Sequence, residues 1–132
     1  MKQELQDALF EKYPEMFAEK DLPKTETCMC WGICTDDGWY DLIDKMCNDL
    51  IPYKDFFTFG QMKEKLGGLR AYTSYRDDVQ DITKEQIREI ISKYEELSYT
   101  TCEICGDNDA KVISRNGWRK AVCPNHIFEK KD

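Results

Sequence analysis

Apolar residues fall at 39, 42, 43, 46, 47 and 50, one face of an amphipathic helix over 39–50. Pro52 ends that helix, and Cys47 lies on its apolar face as a core residue. A second stripe, Ile87, Ile90, Ile91, Tyr94 and Leu97, predicts a helix over 83–98. Thr83-Lys84-Glu85-Gln86 gives it a capping box. Near the start, Leu5, Ala8 and Leu9 fall at helical spacing, with Tyr13 next. Pro14 stops or kinks this helix, and a further turn through Glu15 to Glu19 extends the helical region over 3–19. Asp36-Asp37-Gly38 is a turn that can also cap a helix.

The stretch 57–75 reads as a β-hairpin with Gly67-Gly68 as its loop. Leu66 then faces Leu69, and Lys65 faces Arg70. Alternation places Met62, Leu66, Leu69 and Ala71 on one face, with Glu64 as the exception, and Lys63, Lys65, Arg70 and Tyr72 on the other. A competing reading makes 60–66 a short helix capped by Gly67.

The last third carries the clearest chemistry. Cys102-Glu-Ile-Cys105 is followed, seventeen residues on, by Cys123-Pro-Asn-His126. Two residues between donors let a tight turn aim both at one ion, and four donors close a tetrahedron around zinc. Between the pairs, Asn116-Gly117 is a hairpin turn flanked by strand-like 111–115 and 118–122. The expectation is a zinc ribbon over 99–132 with one structural zinc on Cys102, Cys105, Cys123 and His126. Structural zinc contributes about 10–16 kcal/mol of apparent binding free energy in small units. A redox pair at Cys102 and Cys105 is the weaker reading, because no βαβ pattern surrounds it. The fold class is therefore α+β: a helical and hairpin domain over 1–98 with a C-terminal Cys3His zinc ribbon over 99–132.

Composition narrows the function classes. The chain has 132 residues and a net charge of −7. No apolar run approaches the roughly 18 residues a membrane span needs, and Gln3, Glu4 and Asp7 interrupt any signal-peptide core. Seven cysteines, an odd count, fit a reducing compartment, and a cytoplasmic protein is expected. Residues 1–53 hold 5 basic and 12 acidic side chains, whereas residues 54–76 hold 5 basic and 2 acidic. A basic island in an acidic chain points to an anionic partner at Lys63, Lys65, Arg70, Tyr72 and Arg76; solvated charge is the plain alternative. Like charges facing across a hairpin destabilise it unless something neutralises them.

The segment Cys28-Met-Cys30-Trp31-Gly-Ile-Cys34 followed by Asp37-Gly38-Trp39-Tyr40 is rich in thiols and aromatics. Cys28, Cys30 and Cys34 lack a second knuckle and a free histidine, so buried thiols beside Trp31 are favoured over a metal site. Trp31 and Trp39 read as core residues or as stacking surfaces for a ligand.

Enzymatic readings are thin. His126 is the one histidine, and the metal claims it, which removes imidazole acid–base and nucleophile-activating roles. No P-loop or dinucleotide fingerprint is present. A zinc deaminase needs a glutamate two residues past its histidine, where this chain has Phe128. Magnesium chemistry at Asp36, Asp37 or Asp41 has no spacing to single it out. Two binding hypotheses remain. In the first, the basic hairpin, with Trp31, Trp39 and Tyr72, meets a nucleotide or a protein. In the second, Lys111, Arg115, Trp118, Arg119 and Lys120 of the ribbon bind nucleic acid. Neither membrane binding nor a defined oligomer is indicated, and a homo-oligomer stays open.

The assembled motifs resemble a family of uncharacterised small proteins of bacteria and their phages. The resemblance rests on Tyr13-Pro14-Glu15, on Cys30-Trp31-Gly32 with Asp37-Gly38-Trp39-Tyr40, on Lys63 through Tyr72, and on Cys102 through His126. This chain has Leu66 and Ala71 where relatives tend to carry aromatics. The resemblance implies a phage-type antagonist of host defence, acting on a host protein or sequestering a signalling nucleotide in the host cytoplasm.

Overall fold

The computed structural model describes residues 1–127. Helices α1 (Gln3–Lys12), α2 (Tyr40–Leu50) and α3 (Asp81–Ser98) combine with two small sheets in an α+β fold. The strands are β1 (Ile33–Cys34), β2 (Phe57–Lys65), β3 (Gly68–Tyr75), β4 (Lys111–Arg115) and β5 (Trp118–Val122). The first sheet has the order β1-β2-β3, with β1 parallel and β3 antiparallel to β2. β4 and β5 form a separate antiparallel hairpin.

The helical region expected over 3–19 stops at Lys12. Tyr13, pushed out of the helical basin by the proline that follows, takes φ −130° and ψ 60°. Turns follow, ending in a 3-10 turn at Ala18–Asp21. The break has a structural use: the Met16 carbonyl accepts the Phe59 N–H at 2.8 Å, which ties this segment to β2. Tyr13, Met16 and Phe17 are all buried. Helix α3 starts at Asp81, two residues before the expected Thr83, and no side chain caps it.

The first hairpin spans 57–75 as expected, but its turn is Leu66-Gly67. Both turn residues have positive φ, 54° and 89°, the type I′ pattern. Lys65 therefore pairs with Gly68, and the cation facing Arg70 is Lys63. Gly68 belongs to the strand for a tertiary reason. A Cβ there would lie 2.5 Å from the Tyr99 ring. The Glu64 carboxylate accepts the Gly67 N–H at 2.7 Å and holds the turn. Met62, Leu69 and Ala71 are buried as expected, while Leu66 is exposed. The register shifts between Phe59 and Gln61, and this bulge at Gly60 turns Phe57, Phe59 and Met62 all toward the core.

β3 lies at the sheet edge, and α3 covers it. Leu69 N–H donates to Ser98 Oγ at 2.8 Å and Ala71 N–H to Glu95 Oε2 at 3.0 Å. Arg88 Nη1 donates to the Ala71 carbonyl at 3.3 Å. An edge whose backbone groups are satisfied in this way offers less of a template to another chain.

One buried cluster runs through the molecule. It links Leu9, Phe17, Trp39, Ile43, Phe57 and Ile87 to Cys102, Ala121, Val122 and Cys123, so the C-terminal hairpin shares the core of the preceding elements. The end of the expected ribbon, 128–132, lies outside the described residues. No helix among the described residues is long and apolar enough to cross a membrane.

Candidate metal centre and the surfaces around it

The second hairpin forms where its turn chemistry places it. Asn116 and Gly117 take φ 52° and 83°, and β4 pairs with β5 from Arg115↔Trp118 back to Lys111↔Val122. This returns the chain to Cys123 beside the Cys102–Cys105 turn. The turn is closed by Gly106 N–H to the Cys102 carbonyl at 2.8 Å and by Cys102 N–H to the Asp107 carbonyl at 2.7 Å. Glu103 N–H donates to the Ala121 carbonyl at 2.9 Å and joins the turn to β5.

The donor atoms of Cys102, Cys105, Cys123 and His126 all lie within 4.8 Å of one another. Cys105 Sγ and Cys123 Sγ are 3.7 Å apart, and His126 Nδ1 is 3.7 Å from Cys102 Sγ and 3.1 Å from Cys123 Sγ. Metal–sulfur bonds of about 2.3 Å in a tetrahedron require sulfur separations of about 3.8 Å. The three thiols and one imidazole therefore fit a four-coordinate ion with no position left open.

The thiol chemistry agrees. Burial pushes the Cys102 thiol up, but N–H groups of Cys105, Cys123 and Ile104 outweigh it and bring the pKa down to about 7. At Cys105 the Asp107 backbone favours the thiolate, yet burial and the Cys102 and Cys123 thiols push its pKa up to about 12. Thiolates this close cannot all ionise without a cation among them.

The centre is docked on the segment before α2. A Cβ on Gly38 would lie 2.4 Å from the Cys102 carbonyl oxygen and 2.5 Å from that of Glu103. Gly38 N–H donates to the Glu103 carbonyl at 2.7 Å. Next to it, Trp39 is wholly buried and donates its indole N–H to the Thr101 carbonyl at 2.8 Å. Glu103 is itself buried: Oε2 accepts Asp36 N–H at 3.0 Å. Lys120 Nζ reaches Asp36 Oδ2 at 2.5 Å and Glu103 Oε1 at 3.5 Å. Burial would lower the Lys120 pKa, but these two carboxylates raise it.

Other candidate residues separate into groups. Trp39, expected to be either core or a ligand surface, is core, which removes it from the partner-binding set. Trp31 is 66% exposed. Cys28 and Cys34 are exposed and Cys30 is half-buried, against the expectation of buried thiols. Their donors are not among the convergent groups found in the described residues. Cys47 is buried in the core, as its helical position implies.

Lys63, Lys65 and Arg76 make no ion pair among the described residues, and Tyr72 is exposed. Arg70 donates to Tyr99 Oη at 2.9 Å and lies 5.9 Å over that ring, so part of its donor fork is engaged. In the second hairpin Lys111, Arg115 and Arg119 are exposed, and Trp118 is 71% exposed. Lys120 is drawn away to Asp36 and Glu103.

The structure adds a relationship between the two hairpins that the sequence did not reveal. A Cβ on Gly67, at the tip of β2–β3, would lie 2.7 Å from Val112 Cγ1 on β4. The two hairpins meet there. Leu66 and Val112 leave exposed apolar surface around the contact.

Comparison with known proteins identifies no relative: no family description, curated protein or solved structure matches the chain.

Proposed function

We propose that this chain is a non-enzymatic binding protein, stapled by one structural zinc ion, which presents two abutting cationic hairpins to an anionic partner. The observation that carries the reading is the contact of Gly67 with Val112. It sets the hairpin that carries Lys63, Lys65 and Arg70 beside the one that carries Lys111 and Arg115 on one face and Arg119 on the other. The one carboxylate on these four strands is Glu64, and it is spent on the Gly67 N–H. An acidic protein that concentrates cations on two adjoining hairpins carries a local field suited to anions.

Zinc is the ion that best suits a closed Cys3His donor set, and a closed shell marks it as structural. With His126 in that set, the chain has no second histidine for proton transfer. The resemblance to bacterial and phage proteins makes a host anion the first class to test, either a signalling nucleotide or an acidic host protein. Trp118 favours nucleic acid as a second reading, because an exposed indole beside cations is a stacking platform for unpaired bases.

Lys63→Glu and Arg119→Glu, assayed with a labelled DNA single strand, a nucleoside triphosphate and an acidic peptide, test the proposal. A partner spanning both hairpins is weakened by each swap. Loss with Arg119→Glu alone confines binding to the second hairpin. For a nucleic acid, affinity falls by about 0.7 log unit per tenfold salt for each phosphate neutralised on a single strand. If neither swap weakens any binding, the reading is wrong.

A further inference from the structure

Between α1 and the turn before β1 lies a cleft of about 280 Å³. One wall is the α1 stripe that includes Gln6, Asp7 and Phe10, and the other is the turn leading through Trp31 to Gly32. Met29, fully buried, lies in its lining, and Lys20 with Asp21 closes one end. The Phe10 ring is fixed edge-on against Phe17 at 5.2 Å.

The polar walls are already organised. Gln6 Oε1 accepts Ile33 N–H at 2.9 Å, and Gln6 Nε2 donates to the Met1 carbonyl at 2.7 Å. Gly32, at φ +78°, leaves room for this amide, since a Cβ there would lie 2.2 Å from Gln6 Oε1. The Gln6 wall of the cleft is therefore held in place.

Aromatic faces beside carboxylates are a receptor for cations. The chain shows this itself: Lys20 Nζ lies 5.8 Å from the Phe10 ring centroid and 2.7 Å from Asp21 Oδ2. Two features remain open to a second cation. Trp31 is mostly exposed, and Asp7, held by the Gln3 amide at 2.9 Å, makes no ion pair among the described residues. Among the residues lining the cleft, Asp7 and Asp21 stand against Lys20, so its charge favours a cation.

We propose that this cleft receives an arginine or lysine side chain from a basic segment of a partner protein. The cation lies on Trp31 and pairs with Asp7. Arginine fits better than lysine, because its flat guanidinium both stacks on an indole and forks to a carboxylate. The site does not depend on the anionic partner assigned to the hairpins, and its charge preference is the reverse.

A two-dimensional NMR titration of the full chain with the blocked tripeptide acetyl-Gly-Arg-Gly-amide tests the proposal. The expected result is saturable shifts at the Trp31 indole and the Phe10 and Gly32 amides, absent with the citrulline tripeptide. Trp31→Ala and Asp7→Asn each weaken binding up to about fivefold with an unchanged melting temperature. Equal binding of the citrulline peptide, shifts centred elsewhere, no saturable shift, or indifference to both variants overturns it. Putrescine binding as tightly as the tripeptide also overturns it, in favour of a free diamine.

Discussion

Gly38 lies against the carbonyl of Cys102, so close that any side chain would come within 2.4 Å of that oxygen. The Cys102–Cys105 turn and the segment before α2 are thereby one packed unit. Gly38 does not have a positive φ, so alanine meets a steric obstacle there and no backbone strain. Gly38→Ala is expected to cost about 3 kcal/mol through overpacking and to weaken metal retention. Gly117→Ala is the control: open space surrounds it, and its φ of 83° costs about 1 kcal/mol. Urea unfolding of the two variants, with metal content measured in parallel, checks this.

Leu66 sits in the left-handed region at φ 54°, where a branched side chain is disfavoured. Asparagine is at home at this position of a type I′ turn. Leu66→Asn should stabilise the protein by about 0.5–1 kcal/mol. Thermal unfolding reads the change, and no gain would argue for the Gly67-Gly68 turn.

Lys63 faces Arg70 across the hairpin, and like charges so placed oppose folding. Lys63→Thr should therefore raise the stability of the free protein by about 0.2–1 kcal/mol while weakening the anionic partner. A melting curve and a binding isotherm on the same sample separate the two effects. A variant that loses both stability and binding would place Lys63 in a structural role.

Acid sensitivity has a local source at Asp44. Burial raises its pKa, but hydrogen bonds from Tyr13 Oη at 2.7 Å and Lys12 Nζ at 2.9 Å outweigh burial and hold it below 3.8. A carboxylate depressed on folding contributes stability that is complete above its unfolded pKa. That contribution fades as pH falls from about 4 through the folded value. Asp44→Asn should lower stability at neutral pH by about 1–2 kcal/mol and flatten the loss below pH 4. Denaturant titrations across pH detect both changes.

Legibility followed the range of the interactions. The convergence of Cys102, Cys105, Cys123 and His126 is readable because short spacings and the Asn116-Gly117 turn encode it locally. α2 was readable because its apolar stripe has helical period. The first hairpin was placed correctly, but its turn was not. Gly68 is kept small by Tyr99, a contact across 31 residues that local turn preferences cannot express. The bulge at Gly60 was equally silent, since a glycine in a strand does not announce which partner it skips. Trp39 looked like a stacking residue as well as a core one, and only its burial beneath Thr101 decides between them. The meeting of the hairpins at Gly67 and Val112 joins residues 45 apart and had no sequence signal.

The central claim is that one metal ion on the Cys3His set closes the fold and frames the binding surface. Native mass spectrometry of the folded protein, purified gently from its own cells, tests it directly. The account predicts a mass increment of one zinc per chain, lost in Cys123→Ser together with the compact charge-state distribution. A compact, metal-free chain would contradict it.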